Sequence, residues 1–151
     1  MIKSRSTGSG LLLTLLIMAA CGDSSGPEPV SIRGNYTYTF GLNNAGLGVS
    51  CQGTGQMSIA QQGSQFTGQG NGQVLCTGPT GQIPSSGAIQ ITGGQIDDRQ
   101  VSFQFPLLGA ACNATGNAAG TPVNNLAGTA ACSVAVSGLT IQLNGNWQAS
   151  R

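Results

Sequence analysis

Cysteines close both ends of the stretch CQGTGQMSIAQQGSQFTGQGNGQVLC, Cys51 to Cys76, and its alternation leaves little choice of fold. Folded at Gly63-Ser64, it sets opposite each other all positions whose numbers sum to 127. Cys51 then faces Cys76, within reach of a disulfide. One face of the resulting hairpin carries Cys51, Gly53, Gly55, Met57 and Ile59, then Phe66, Gly68, Gly70, Gly72, Val74 and Cys76. The other carries Gln52, Thr54, Gln56, Ser58 and Gln62, then Gln65, Thr67, Gln69, Asn71 and Gln73. Apolar or tiny side chains on one side and uncharged polar ones on the other are the period-2 mark of a half-buried antiparallel pair.

A second pair repeats the pattern. In a register summing to 244, Cys112 meets Cys132, Ala114 meets Ala130, Gly116 meets Gly128 and Ala118 meets Leu126, around the loop AGTPVNN. Further strands are predicted at Ser31 to Phe40, at Gly87 to Gly93, at Gln100 to Phe105 and at Leu139 to Ala149. In the last of these, Leu139, Ile141, Leu143, Gly145 and Trp147 point inward. Loops are expected at Gly41 to Gly48 and at Thr77 to Ser86, where glycine, asparagine and proline gather, and a turn at Gly94 to Arg99. Pro106 is expected to end its strand, because proline cannot donate to a ladder. About eight strands with short turns and no helical period predict an all-β domain. An up-and-down barrel, which abolishes open edges, is the economical closure, and a two-sheet sandwich is the alternative.

The N-terminus has a different character. Lys3 and Arg5 precede a short apolar run, Leu11 to Ala20, well below the ~20 residues that span a bilayer. That is the layout of a cleaved export signal, residues 1–20. Its end, Met18-Ala19-Ala20-Cys21, resembles the lipobox of bacterial lipoproteins, in which the cysteine is acylated and the peptide is cut just before it. The resemblance implies that Cys21 anchors the chain to membrane lipid, and that Gly22 after it favours the outer membrane. An ordinary secretory signal with a chance cysteine is the other reading. Residues 21–30 then form a small, polar, proline-bearing tether, and residues 31–151 the domain. The cysteine count agrees with export. Five cysteines less the lipidated one leave four, an even number, for the bridges Cys51–Cys76 and Cys112–Cys132.

Charge and chemistry narrow the function. Only 6% of the 151 residues are charged and histidine is absent. Beyond residue 20 three arginines stand against four acids and no lysine. No basic stripe for nucleic acid can form from that set. Zinc finds neither histidine nor a CxxC pair, and no cofactor is expected. The domain's only carboxylates, Asp97 and Asp98, are neighbours in one turn, so they point apart instead of converging as an acid–base pair must. No catalytic residue is assigned. The inward glycines Gly53, Gly55, Gly68, Gly70 and Gly72 admit two readings. They let strands coil under Tyr36, Tyr38, Phe103 and Trp147, or they hollow out a cavity for a small apolar ligand.

In outline the domain resembles calycin-type barrels, the lipocalin and avidin group. Those carry Gly-x-Trp near the start of the first strand and a late arginine packed on it. Here Gly34-Asn35-Tyr36 stands at that start, Gly145-Asn146-Trp147 near the end, and Arg151 last. No binding residue is transferred on this likeness. The leading expectation is a non-enzymatic envelope lipoprotein with a structural role, or one that meets a protein or glycan partner; a carrier of a small hydrophobic ligand is the alternative.

Overall fold

Alternation along most of the strands requires a sheet with one side dry, and the chain achieves it by closing the sheet on itself. The computed structural model describes residues 29–136 and 138–151; the predicted signal, the lipidation site Cys21 and most of the tether lie outside them. Eight antiparallel strands form a closed barrel in chain order. They are β1 (Gly34–Asn44), β2 (Val49–Gln62), β3 (Gln65–Gly78), β4 (Gly81–Asp97), β5 (Gln100–Leu107), β6 (Ala110–Gly120), β7 (Val123–Val136) and β8 (Leu139–Ser150). Closure comes from β1, which pairs with β2 on one side and with β8 on the other.

Both cysteine registers are present as read. Cys51 pairs with Cys76 and Cys112 with Cys132, each pair joined by a disulfide, with Cα–Cα separations of 4.0 and 4.3 Å. Inward positions are buried along β1 (Tyr36, Tyr38, Phe40, Leu42), β5 (Val101, Phe103, Phe105) and β8 (Leu143, Trp147). Their rings form one connected stack: Phe40–Phe105 at 5.7 Å, Phe105–Phe103 at 6.2 Å, and Phe103–Trp147 edge-on at 4.9 Å between centroids. Aromatic burial of this kind removes about 150–250 Å² per ring from water, the largest apolar contribution a glycine-rich chain has available.

Several segments read as loops are strand. The stretch Thr77 to Ser86 is the tip of the β3–β4 hairpin, paired as far as Gly78 opposite Gly81. Proline suggested a loop there, but Pro84 lies on a part of β4 that has no partner on its other side, and a strand edge tolerates proline. Likewise β5 continues past Pro106 to Leu107. Gly93-Gly94 is a bulge within β4 and not the start of a turn: Gly93 has φ +58°, and the β4–β5 register shifts between Thr92 and Gln95. β1 also runs on to Asn44, whose side chain caps a 3-10 turn, Ala45–Leu47. Leu139, placed inward from the sequence, is 70% exposed, because it stands at the rim beyond the packed layers.

The two barrel ends differ. Call the end where β1 begins the entry end; it also carries the β2–β3, β4–β5 and β6–β7 turns. All charged residues among those described (Arg33, Asp97, Asp98, Arg99 and Arg151) gather there. Ile32, fully buried, plugs it. Gln61 holds the plug: its Oε1 accepts from the Ile32 amide at 2.7 Å, and its Nε2 donates to the carbonyls of Val30 (3.2 Å) and Gly63 (2.9 Å). Gln61→Ala leaves one donor and two acceptors without partners. We expect a loss of roughly 1–3 kcal/mol and, by amide exchange, faster opening at Ile32 than in the barrel wall.

Candidate functional site

Closure of the barrel lines up the outward positions of separate strands into rows. One row runs Gln148, Thr39, Thr54, Gln73 and Ser86 across β8, β1, β2, β3 and β4. The next runs Ser150, Thr37, Gln56, Asn71 and Ala88 across the same strands. Every one of these side chains is exposed. Two adjoining grooves result, of about 1260 Å³ and 920 Å³, which share Thr54, Gln73 and Ser86. Their lining offers amides and hydroxyls about 4.8 Å apart across strands, set among apolar groups such as Val74, Leu75 and Pro84 in the first groove and beside Arg151 in the second. Elsewhere on the barrel such side chains tie to each other, as Gln104 does to Asn113 and Ser133 to Gln142, both at 2.9 Å.

The interior is built differently. A Cβ added at Gly53 would lie 2.2 Å from the Phe40 ring, and one at Gly72 would lie 1.9 Å from the Tyr38 hydroxyl. At Gly116 it would meet the Trp147 ring at 2.8 Å. Of the five inward glycines singled out in the sequence, Gly53, Gly55 and Gly72 lie under Phe40 or Tyr38, Gly68 lies under Ile91, and Gly70 abuts the backbone of Gln56 and Met57; this is the close packing of the first reading. Burial pushes the Tyr38 phenol above its ordinary pKa. Trp147 has already committed its only donor, Nε1, to the carbonyls of Thr115 and Thr129, both at 3.1 Å.

Asp97 is the last residue of β4, paired with Gln100, and Asp98 occupies the turn with φ +50°. The two carboxylates are not brought to a common point with any base. Among the described residues no group of three or more His, Cys, Asp or Glu could hold a metal. Cys51, Cys76, Cys112 and Cys132 are spent in disulfides. At the entry end Arg151 lies on Tyr36, its guanidinium carbon 4.8 Å from the ring centroid. Its Nη2 donates to the Tyr36 hydroxyl at 2.7 Å and to the Arg33 carbonyl at 2.8 Å. Gly34 makes room, since a Cβ there would meet the guanidinium at 3.2 Å. Gln61 went unnoticed in the sequence, although the register of 127 sets it on the inward face beside Ile59. Compared with family models, curated proteins and solved structures, the chain matches none.

Proposed function

We propose that this chain is a bacterial envelope lipoprotein that binds instead of catalysing, held to membrane lipid by acylated Cys21 and meeting a protein or glycan partner through its outer wall. One observation carries the binding half: the uncharged groove over β8-β1-β2-β3-β4 presents a row of amides and hydroxyls with no charge among them. Such a surface favours uncharged polar partners that exchange hydrogen bonds, each contributing about 0.5–1.5 kcal/mol net. The lipobox resemblance supports the anchor, and Gly22 supports the outer membrane. Close packing over the inward glycines, by Phe40, Tyr38, Ile91 and neighbouring backbone, supports an outer site over the carrier alternative. The Arg151–Tyr36 stack beside Gly34 fits the calycin likeness in outline, with tyrosine in place of tryptophan.

Fractionation tests the anchor. Expressed as the full chain in a Gram-negative host, the protein should enter the outer-membrane fraction with the added mass of acyl chains, and Cys21→Ser should move it to the soluble periplasm. Membrane association untouched by that substitution would sink the anchored reading. For the groove, a photoreactive residue at Gln73 should form a defined cross-link in the envelope, and one at Asn117 across the barrel should not. Equal labelling from both positions removes the support for an outer site in the groove.

A further inference from the structure

We propose that the seam between β4 and β5 accepts an extended peptide segment of a partner protein, added to the edge of β4 as a further strand. The inference rests on the binding reading above and names a place and a partner class for it. β4 is the longest strand and is paired with β3 along its length, from Gln95 down to Gly81. Its pairing with β5 begins at Asp97 opposite Gln100 and ends at Thr92 opposite Gln104. From Ile91 back to Gly81 the outer edge of β4 has no ladder partner, a run of roughly 35 Å at strand rise. Proteins blunt such edges with charge, above all lysine. Here no charged residue occurs from Gly81 to Ile96, and only Pro84 interrupts the row of backbone donors.

Behind the free edge the wall is breached. A cleft of about 250 Å³ lies between β4 and the β5–β6 turn, lined by Tyr38, Phe40, Val74, Ile89, Leu107 and Leu108 among others. The cleft's lining is mixed, with Ser85 and Ser86 beside the apolar groups. An unpaired backbone edge beside an uncharged cleft is what strand addition requires: the edge bonds an extended backbone, and the cleft takes every second side chain. The lack of charge along the edge and cleft selects an uncharged segment with apolar residues at alternate positions. Position agrees with such a role. The chain enters at the opposite end, through Val30 and Ile32, so the tether attaches away from the free edge and leaves it uncovered. Two copies pairing their β4 edges about a two-fold axis would run antiparallel and send their entry ends in opposite directions, against anchorage in one membrane. A small apolar ligand alone would leave the edge unused, and the cleft is smaller than the usual ~300–1,000 Å³ of ligand pockets.

The test uses the exported full chain carrying Cys21→Ser, oxidised, with capped peptides of the form Thr-X-Thr-X-Gln-X-Thr, where X is valine, leucine or phenylalanine. At least one peptide at sub-millimolar concentration should slow amide exchange tenfold or more within Ser85 to Ile91. Methylating that peptide's backbone nitrogens should abolish the effect with no change to the protein. Leu108→Asp sets a charge at the cleft rim, at an exposed turn position with φ +49° that aspartate adopts readily. It should weaken binding about tenfold and leave the melting temperature unchanged. Three outcomes overturn the proposal. No peptide protects β4, or protection follows protein concentration without peptide, which assigns the edge to a second copy, or palmitate protects it and no peptide does. Cross-linking from Gln73 with a silent β4 edge removes this inference and leaves the binding reading standing.

Discussion

With alanine at Cys51, Cys76, Cys112 and Cys132 together, the chain should be largely unfolded at 37 °C. Each bridge closes a loop of similar length, with sequence separations of 25 and 20, and each contributes about 3 kcal/mol by restricting the unfolded chain. Together that is about 6 kcal/mol, against a total stability of about 5–15 kcal/mol for an ordinary domain. This barrel has little surplus, because many of its inward positions are glycine or alanine and cannot bury a large side chain. The bridges join different strand pairs, β2 to β3 and β6 to β7, so their losses should nearly add. Both sit toward the end where the β4–β5 seam is open, and Cys76 pairs with Ile83 on β4 itself. Urea unfolding of the oxidised protein, of each paired alanine variant and of the fourfold variant would measure this. A fourfold variant within 1 kcal/mol of the parent would show that the aromatic stack suffices.

Those bridges are also the reason so much of the fold could be read from the chain. A disulfide between facing residues fixes a register, a register fixes which side chains share a face, and period-2 alternation carries that assignment along the strand. Cys51 opposite Cys76 therefore places Phe66, Met57 and Ile59 inside and the glutamine row outside. Where the reading failed, one residue type had two meanings. Pro84 and Pro106 interrupt a central strand, yet both are compatible with a strand whose neighbour is missing. Gly93-Gly94 breaks a strand in isolation, and within a ladder it makes a bulge.

Longer-range features were harder to see. The polar outer face was legible strand by strand, but the groove depends on β8 lying beside β1, which no local pattern states. The open seam arises because β4 has 17 residues and β5 only 8. A strand's length is set by its partners, and the segment GQIPSSG carries no β signal of its own. Gln61 was hidden for a different reason. A polar side chain on an apolar face looks like an interruption until the three backbone groups that it satisfies are in view.

The inward glycines provide the sharpest test of how this barrel is filled. At Gly128 an added Cβ would lie 1.9 Å from the Thr115 carbonyl oxygen and 2.4 Å from the Cα of Gly116, the residue directly opposite. Both contacts are with backbone, so no side chain can swing aside and β6 must move away from β7. The Thr115 carbonyl is also an acceptor for Trp147 Nε1, and the same movement disturbs that hydrogen bond. Gly128→Ala should therefore cost about 3 kcal/mol, at the upper end of ordinary overpacking, and should change the emission of Trp147, the chain's only tryptophan. Gly41 is the control. It sits on β1 facing out, with nothing within 4 Å of an added Cβ and no left-handed φ. Alanine there should be neutral or stabilise by up to about 1 kcal/mol, because the unfolded chain loses freedom. The two methyl groups are identical, so the difference in melting temperature between the variants reports wall geometry alone. A hollow, yielding barrel predicts nearly equal values. Strands drawn together under packed rings predict a gap of roughly 10 °C or more, at several degrees per kcal/mol.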